Sequence, residues 1–185
     1  MISNILTNKS IWRILILYSY GQGSGYSWSD LKEHTKLHIV SLKNALELLI
    51  VHNILKKNKR IYKLNLENQE VQDLMNLINN EKSRLNLPSF DLYLKLNFFL
   101  DEIQISKNRN KIKEIYLFGS HAKKKASINS DIDIAIISDD LNLNFTKEII
   151  KLEESLKVEF QVITLQKLNN DNLSQEIKKH GIKLI

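Results

Sequence analysis

The most informative segment of the sequence is Leu117-Phe118-Gly119-Ser120, followed after ten residues by Asp131-Ile132-Asp133. Its first part has the pattern of an apolar strand that ends in a glycine-serine turn, and its second part that of a strand with two carboxylates. Side chains at positions i and i+2 of a strand share one face and lie roughly 6.5–7 Å apart. Asp131 and Asp133 are therefore predicted to point the same way, while Ile132 enters the core. Carboxylate oxygens beside a turn that opens onto a helix favour magnesium and a triphosphate.

The composition of the chain excludes several classes of protein. Its 185 residues, 43% of them hydrophobic, can bury one large core or two small ones. The absence of cysteine excludes disulfides and thiolate metal sites and fits a reducing cytoplasm. The apolar run over residues 11–18 is short and contains Arg13, so it predicts neither a membrane span nor a signal peptide. We therefore expect a cytoplasmic protein with no membrane association.

Positive charge is concentrated in the N-terminal third of the sequence. Residues 1–66 contain ten Lys and Arg against three Asp and Glu, whereas residues 67–185 contain seventeen against eighteen. This asymmetry favours a module that binds a polyanion, joined to a nearly neutral one. A lysine-rich surface that is merely solvated is the alternative.

The N-terminal pattern predicts three helices followed by a β-hairpin. Apolar residues recur at helical spacing over residues 11–18 and again over residues 39–50. Between these segments Ser27, with Asp30 three residues on, has the arrangement of a capping box that starts a short helix. Two alternating segments then flank a polar tip at residues 56–60, as in a β-hairpin.

This order of elements resembles a winged helix-turn-helix domain, which we assign to residues 1–66. In that fold the third helix enters the major groove of double-stranded DNA and the hairpin lies along the backbone. The outward positions of the third helix, predicted to contact bases, are His38, Ser41, Lys43 and Asn44. The hairpin residues predicted to meet phosphates are Lys56, Lys57, Lys59 and Arg60. Winged helices also serve as protein-interaction modules, but the positive charge favours DNA binding.

Residues 67–107 are predicted to form a helical connector. One apolar stripe runs over residues 71–78, and a second helix is capped by Ser89 after Pro88. The apolar and aromatic residues of both helices indicate core or a dimer interface rather than a ligand site, so this is where we would expect a homodimer interface.

Residues 108–185 are predicted to form a small α/β domain. The fold class expected for the whole chain is a two-domain α+β or α/β protein: a winged helix-turn-helix domain, the connector, and a small mixed sheet. The elements expected in the last part are strands over residues 115–118, 131–137 and 158–164, a helix opening at Gly119, and helices over roughly 144–156 and 172–180.

This C-terminal region resembles the minimal nucleotidyltransferases of the DNA polymerase beta superfamily, whose sheet is the polymerase palm. The resemblance rests on Gly119-Ser120, the ten-residue spacing and the Asp131-Ile132-Asp133 segment, and it extends to Ala122 and to the closing helix-glycine-strand pattern. Placement of these residues on a strand, turn, helix and second strand makes the match more specific than the residues alone.

The resemblance implies a metal site and a nucleotide site. Asp131 and Asp133 would hold two Mg²⁺ ions, which activate a hydroxyl and neutralise the charge of a nucleoside triphosphate. Glu159 matches the place of a third carboxylate on the next strand, as metal ligand or general base, where the family more often has aspartate. The residues that would contact the nucleotide are Gly119, Ser120, Lys123 and Ser130.

Two residues depart from the family pattern near the phosphate site. His121 stands where arginine is frequent, and Lys124 stands where glycine is common. If the backbone at Lys124 is left-handed, a non-glycine residue there costs on the order of 1 kcal/mol.

The resemblance implies a nucleotidyltransferase that moves a nucleoside monophosphate, in the first place AMP from ATP, from a nucleoside triphosphate to a hydroxyl acceptor. The chain lacks the large helical domain with which related enzymes hold tRNA or antibiotics, which favours a protein acceptor. Minimal nucleotidyltransferases act as antitoxins that modify a HEPN toxin, and a DNA-binding arm would let one repress its own operon. The alternative is a DNA-binding regulator whose second domain binds nucleotide or a partner without catalysis. For the aspartate pair itself, the alternative is an exposed strand with two solvated carboxylates.

Overall fold

The computed structural model describes residues 8–21, 23–127 and 129–185, apart from the side chain of Arg84. The chain divides into two compact units, Met1–Leu94 and Lys95–Ile185. This boundary falls inside the segment predicted as a connector. The first helix of that segment therefore belongs to the N-terminal unit, and the second helix runs across the boundary.

The N-terminal unit combines helices with a small antiparallel sheet. Its elements are α1 (Lys9–Tyr20), β1 (Tyr26–Ser27), α2 (Trp28–Thr35), α3 (Ile39–Val51), β2 (Leu55–Asn58), β3 (Ile61–Leu64) and α4 (Gln69–Leu85), and α5 (Phe90–Ile105) begins in it. The strands pair in the order β1-β3-β2. The predicted succession of helices and hairpin is thus present, with a two-residue strand added before α2.

Helix α2 begins where the sequence predicts it. The Asp30 backbone N–H donates to the Ser27 hydroxyl at 3.2 Å, and the Ser27 backbone N–H donates to the Asp30 carboxylate at 2.8 Å. These hydrogen bonds hold the pKa of Asp30 below its ordinary value. The predicted capping box is confirmed, because both of its hydrogen bonds are present. Both join residues three positions apart in the sequence.

Helix α1 supplies much of the core of the N-terminal unit. Ile11, Ile14 and Leu15 are fully buried. Tyr18 is buried as well, and its hydroxyl donates to the backbone oxygen of Tyr62 at 2.8 Å, which ties the helix to β3. Burial raises the pKa of Tyr18, so this hydroxyl stays a donor.

The C-terminal unit contains a mixed sheet. After the second half of α5 and a 3₁₀ turn at Arg109–Lys111, its elements are β4 (Ile112–Leu117), α6 (Gly119–Ala122), β5 (Ile132–Ser138), α7 (Thr146–Leu156), β6 (Phe160–Leu165), α8 (Asn172–His180) and β7 (Ile182–Lys183). The strand order is β6-β5-β4-β7, with β5 and β6 parallel and the other pairs antiparallel. This confirms the predicted mixture of helices and sheet.

Strand β5 is the central element of the site. Its alternate side chains are fully buried on one face: Ile132, Ile134 and Ile136. The other face carries Asp133 and Ala135. Ala135 packs with Phe118 and with Ile177 of α8. Helix α8 therefore covers the middle of this face, and Asp133, nearer the start of β5, is only half-buried.

The last strand closes one edge of the sheet. Strand β7 pairs with β4 through Tyr116 opposite Lys183 and Leu117 opposite Ile182. The Lys183 ammonium also pairs with the carboxylate of Glu114, which lowers the pKa of that carboxyl. No helix in the described ranges is long and apolar enough to cross a membrane.

Candidate active site

The two aspartates lie at the beginning of β5. Asp131 immediately precedes the strand and Asp133 is its second residue, so the strand starts one residue later than predicted. In the parallel pair, Asp133 lies beside Gln161 of β6. The Gln161 amide Nε2 donates to Asp131 Oδ2 at 2.8 Å. The amide and the two carboxylates therefore meet at one place, and the hydrogen bond orients Asp131.

Gly119 brings the backbone of the turn against Asp133. Its φ of +66° lies in the left-handed region, and a Cβ there would be 2.0 Å from Asp133 Oδ2 and 2.7 Å from Asp133 Cγ. No side chain fits in that space, which is the physical reason for glycine at this position. The backbone N–H of Ser120 is hydrogen-bonded to the same carboxylate. The glycine-serine turn and the second aspartate thus form one packed unit.

The electrostatics of the pair favour a bound cation. Burial raises the pKa of the Asp133 carboxyl above its ordinary value, and the neighbouring charge of Asp131 raises it further. His121 and the Ser120 N–H lower it. A positive ion beside the Asp133 carboxylate would offset the effects that oppose its ionisation.

The donor set suits Mg²⁺ in a phosphate-transfer site. Such sites hold Mg²⁺ through one or two carboxylates, and water and substrate phosphates complete the coordination shell. Asp131, just before β5, and Asp133, within it, supply two carboxylates. Among residues 8–21, 23–127 and 129–185, no group of three or more His, Cys, Asp or Glu side chains is arranged to hold a metal ion.

Glu159 immediately precedes β6 and is exposed. Its backbone oxygen accepts a hydrogen bond from the Ile132 N–H at 2.9 Å, so its backbone is adjacent to the start of β5. Its assignment as a third metal ligand stays a prediction. Gln161, which the strand alternation puts on the same face as Glu159, is the β6 residue that contacts Asp131.

Lys123 has a partner that the sequence did not suggest. Its ammonium lies 2.6 Å from Glu176 Oε1 of α8. The charge of Glu176 also raises the pKa of Asp133, so this carboxylate belongs to the surroundings of the aspartate pair. A glutamate in a polar helix carries no local signal of such a role, because only tertiary packing brings α8 to α6.

Ser130 and His121 close the loop between α6 and β5. The Ser130 hydroxyl accepts a hydrogen bond from the Ser127 backbone N–H at 2.8 Å. His121 Nε2 lies 3.3 Å from the Ser130 backbone oxygen. These contacts hold the end of the loop next to Asp131, and a nucleotide contact by Ser130 stays a prediction.

The backbone of Lys124 adopts the left-handed conformation, with a φ of +57°. Replacing it by glycine is expected to raise the free energy of unfolding by about 0.5–1 kcal/mol, because the left-handed penalty of a side chain exceeds the entropic cost of glycine. Urea denaturation of the full chain measures the change. Lys125→Gly is the matched control, since Lys125 is not in the left-handed region, and it should be destabilising. Equal effects of the two substitutions would contradict the prediction.

The predicted base-contacting residues lie at the start of α3. His38 caps the helix, with its Nδ1 accepting the Val40 N–H at 3.4 Å. The Lys43 ammonium lies 3.9 Å from Glu47. Lys43 and Asn44 are exposed, and Ser41 is half-buried. Contacts between these residues and DNA stay predictions.

The predicted phosphate-contacting residues follow the hairpin β2–β3. Lys56 forms an ion pair with Glu67. The Lys57 ammonium lies 5.3 Å from the ring centroid of Tyr62. The residues of the turn itself, both exposed, are Lys59 and Arg60.

Comparisons with known proteins concern the C-terminal unit. The model of the family "Polymerase beta, Nucleotidyltransferase" matches residues 102–185. A relative from Methanocaldococcus jannaschii, named "Putative protein adenylyltransferase MJ1379", is 31% identical over 80 residues, which cover 41% of this chain and 80% of that protein. The chain belongs to the polymerase beta nucleotidyltransferase family. The matched residues, which we call the nucleotidyltransferase domain, include both aspartates and the glycine-serine turn.

Two solved structures also resemble part of this chain. One is a crystal structure of a toxin-antitoxin with AMP-PNP, 28% identical, with a TM-score of 0.40, covering 48% of this chain and 71% of that chain. The other is a tri-AMPylated Shewanella oneidensis HEPN toxin in complex with the MNT antitoxin, 26% identical, with a TM-score of 0.38, covering 50% of this chain and 71% of that chain.

Proposed function

We propose that the nucleotidyltransferase domain transfers AMP from ATP to a hydroxyl group of a partner protein, with Mg²⁺ as the metal. The observation that carries this proposal is the meeting of Asp131 and Asp133 with the Gly119-Ser120 turn at the start of β5. Nucleotidyl transfer needs metal-binding carboxylates next to a place for the triphosphate, and the contact between the aspartate pair and the turn supports such an arrangement.

In the proposed reaction an acceptor oxygen forms a bond to the α-phosphorus of ATP while the α–β bridge breaks and pyrophosphate leaves. When bound, Mg²⁺ neutralises the phosphate charge and favours the ionised acceptor oxygen. Asp131 and Asp133 would hold the ions, and Gln161 would keep Asp131 oriented. Gly119 would let the backbone approach the triphosphate closely, and Ser120 and the start of α6 would hold its phosphates. Glu159, exposed beside the start of β5, would accept the proton of the hydroxyl.

A protein acceptor is supported by the name of the archaeal relative, which is that of a protein adenylyltransferase. The resemblance of the sequence to minimal nucleotidyltransferases that act as antitoxins suggests a HEPN-type toxin as the acceptor protein. This chain would then be the antitoxin of that toxin. The hydroxyl would then belong to a serine, threonine or tyrosine of the toxin.

The experiment that tests this function is incubation of the full chain with ATP labelled on the α-phosphate, Mg²⁺ and a purified HEPN toxin. We expect label on the toxin, and none with the variant Asp131→Ala plus Asp133→Ala. Asp139→Ala plus Asp140→Ala is the matched control, because it removes an acidic pair just beyond the other end of β5, where each carboxylate is paired with a lysine. Absence of transfer by the wild type would favour the regulatory alternative, provided that nucleotide still binds.

DNA binding by a winged helix is the second proposed function. It is supported by the order of helices α1 to α3, the three-stranded sheet β1-β3-β2 and the lysine-rich hairpin. The excess of basic residues in the N-terminal third adds an electrostatic attraction to duplex DNA. In this proposal α3 enters the major groove and the hairpin turn meets the phosphate backbone.

Removing the two charges of the hairpin turn tests this proposal. Lys59→Asn plus Arg60→Gln should weaken duplex binding and reduce the slope of log K against log salt by about 2, since each phosphate contact contributes about 0.9. Asparagine is chosen because Lys59 has a φ of +53°, and asparagine tolerates that region. Fluorescence anisotropy at several salt concentrations measures the slope. Lys151→Gln plus Lys178→Gln removes two charges from the other unit and should leave the slope unchanged; an unchanged slope in the hairpin variant would contradict the proposal.

A further inference from the structure

An ion pair at the edge of the candidate active site joins two helices of the nucleotidyltransferase domain. The Lys123 ammonium, at the end of α6, lies 2.6 Å from Glu176 Oε1 of α8, and the side chains are 33% and 34% exposed. The pair is thus neither deeply buried nor fully in solvent, and water can reach both partners if it opens.

Both partners belong to the surroundings of the aspartate pair. Lys123 ends the short helix that opens with the Gly119-Ser120 turn, where the phosphates are proposed to bind. The Lys123 backbone N–H donates to the Gly119 oxygen at 3.2 Å, and Gly119 packs against the Asp133 carboxylate, so the Lys123–Glu176 pair adjoins the turn that contacts Asp133. Lys123 and Glu176 therefore neutralise each other beside the two carboxylates.

We propose that Lys123 moves from Glu176 to the triphosphate when nucleotide binds, and that the released Glu176 carboxylate adds its negative charge to the Asp131–Asp133 metal site. The inference rests on the proposed function, because it requires a triphosphate beside the Gly119-Ser120 turn. Before nucleotide binds, Glu176 positions Lys123. After nucleotide binds, Glu176 is an acidic neighbour of the metal.

Simple electrostatics favours this exchange. A partly exposed ion pair contributes little to stability, so opening it costs little. A triphosphate offers the ammonium more charge and several acceptor oxygens. The released Glu176 carboxylate, no longer neutralised by Lys123, would add to the attraction that the aspartate pair exerts on a divalent cation. Nucleotide and metal should therefore strengthen each other's binding through this pair, and such coupling is reciprocal.

The first test measures nucleotide binding in the absence of metal. The probe is α,β-methylene ATP in EDTA, titrated into the full chain and followed by NMR. Glu176→Gln is expected to bind it about two- to fivefold more tightly, the range that a partly exposed ion pair is worth, because Lys123 is already released. Lys123→Met should bind the nucleotide less tightly than the wild type. When Lys123→Met is added to Glu176→Gln, the fall in nucleotide affinity should be about two- to fivefold larger than when it is added to the wild type.

The second test measures metal binding in the absence of nucleotide. Electron paramagnetic resonance of Mn²⁺ reports the affinity of the aspartate pair. Lys123→Met is expected to bind Mn²⁺ about two- to fivefold more tightly, because Glu176 is no longer neutralised. In the Glu176→Gln background the same substitution should have little effect. The matched control is the distant pair Lys151–Glu102, with atoms 2.7 Å apart, whose variants Lys151→Met and Glu102→Gln should change neither affinity.

Two outcomes overturn the exchange. If Glu176→Gln weakens nucleotide binding, Glu176 does not compete for Lys123. If Lys123→Met changes Mn²⁺ affinity equally with and without Glu176, the pair acts only as a structural brace. A wild type that binds Mn²⁺ and nucleotide while showing either result refutes the exchange alone. A wild type that binds neither refutes the proposed function together with it.

Discussion

Asp133→Asn is expected to reduce AMP transfer by about a thousandfold or more, and at neutral pH without metal to make the protein more stable. The loss of activity follows because asparagine has no charge with which to hold a metal ion against the triphosphate. The gain in stability follows because burial and the charge of Asp131 both oppose the ionisation of Asp133. Relieving such a conflict typically raises the free energy of unfolding by about 1 kcal/mol.

The pH dependence of this gain has a definite sign. Since the pKa of Asp133 is raised in the folded protein, its ionisation disfavours the fold above that pKa and has no effect well below the ordinary value of 3.8. The melting temperature of Asp133→Asn should therefore be higher than that of the wild type at pH 7, and the two should be equal well below pH 3.8. Saturating Mg²⁺ should reverse the order, because it stabilises the wild type alone.

Asp140→Asn is the matched control for this variant. The pKa of Asp140 is lowered by its hydrogen bond to Lys111, so the ionised form stabilises the fold above the ordinary pKa and the neutral variant loses that contribution. We expect Asp140→Asn to be slightly destabilising at pH 7 and fully active. A less stable Asp133→Asn at pH 7 would contradict the account of the aspartate pair.

Gly119→Ala is expected to cost about 2 kcal/mol or more in stability and about a hundredfold in transfer. The added Cβ would lie 2.0 Å from Asp133 Oδ2, so the Asp133 side chain must move or the turn must open. Overpacking costs about 1–3 kcal/mol, and the left-handed backbone adds about 1–2 kcal/mol. A displacement of about 1 Å at a reacting centre costs about a hundredfold in rate. Urea unfolding measures the loss of stability, transfer of label from ATP measures the loss of activity, and Mn²⁺ binding reports whether the aspartate pair still holds a metal ion.

Gly23→Ala separates backbone strain from the clash. Gly23 has a φ of +88°, and no atom of the residues that the structure describes lies within 4 Å of an added Cβ. This variant should therefore lose stability from the backbone alone, by about 1–2 kcal/mol, and keep full transfer activity and Mn²⁺ affinity. If Gly119→Ala retained wild-type Mn²⁺ affinity, the close packing of the turn on Asp133 would not be needed for metal binding, and the prediction would be wrong.

The features that could be predicted from sequence depend on residues close together in the chain. The capping box of Ser27 and Asp30 spans one helical turn, and both of its hydrogen bonds form as expected. The glycine-serine turn also lies next to the strand that the apolar pattern indicates. Asp131 and Asp133 share a face because alternation along a strand needs no tertiary information.

The features that could not be predicted depend on register and on packing. The contact of Gln161 with Asp131 follows from how β6 is aligned with β5, and the sequence pattern alone gave Glu159 and Gln161 the same face. The pairing of Lys123 with Glu176 requires α8 to lie against α6, and no spacing in the sequence encodes it. Interactions of this kind depend on the whole fold, so local propensity cannot reveal them.

The two-residue strand β7 has a kinetic consequence. It pairs with Tyr116 and Leu117, far back in the chain, whereas β4, β5 and β6 follow one another in sequence. Closing that long loop gains few backbone hydrogen bonds, so this edge should form last in folding and open first in the native state. Amide protons of β7 should therefore exchange with solvent well before those of β5. Each such opening would expose the free edge of β4 while the strand that carries Asp133 stays intact.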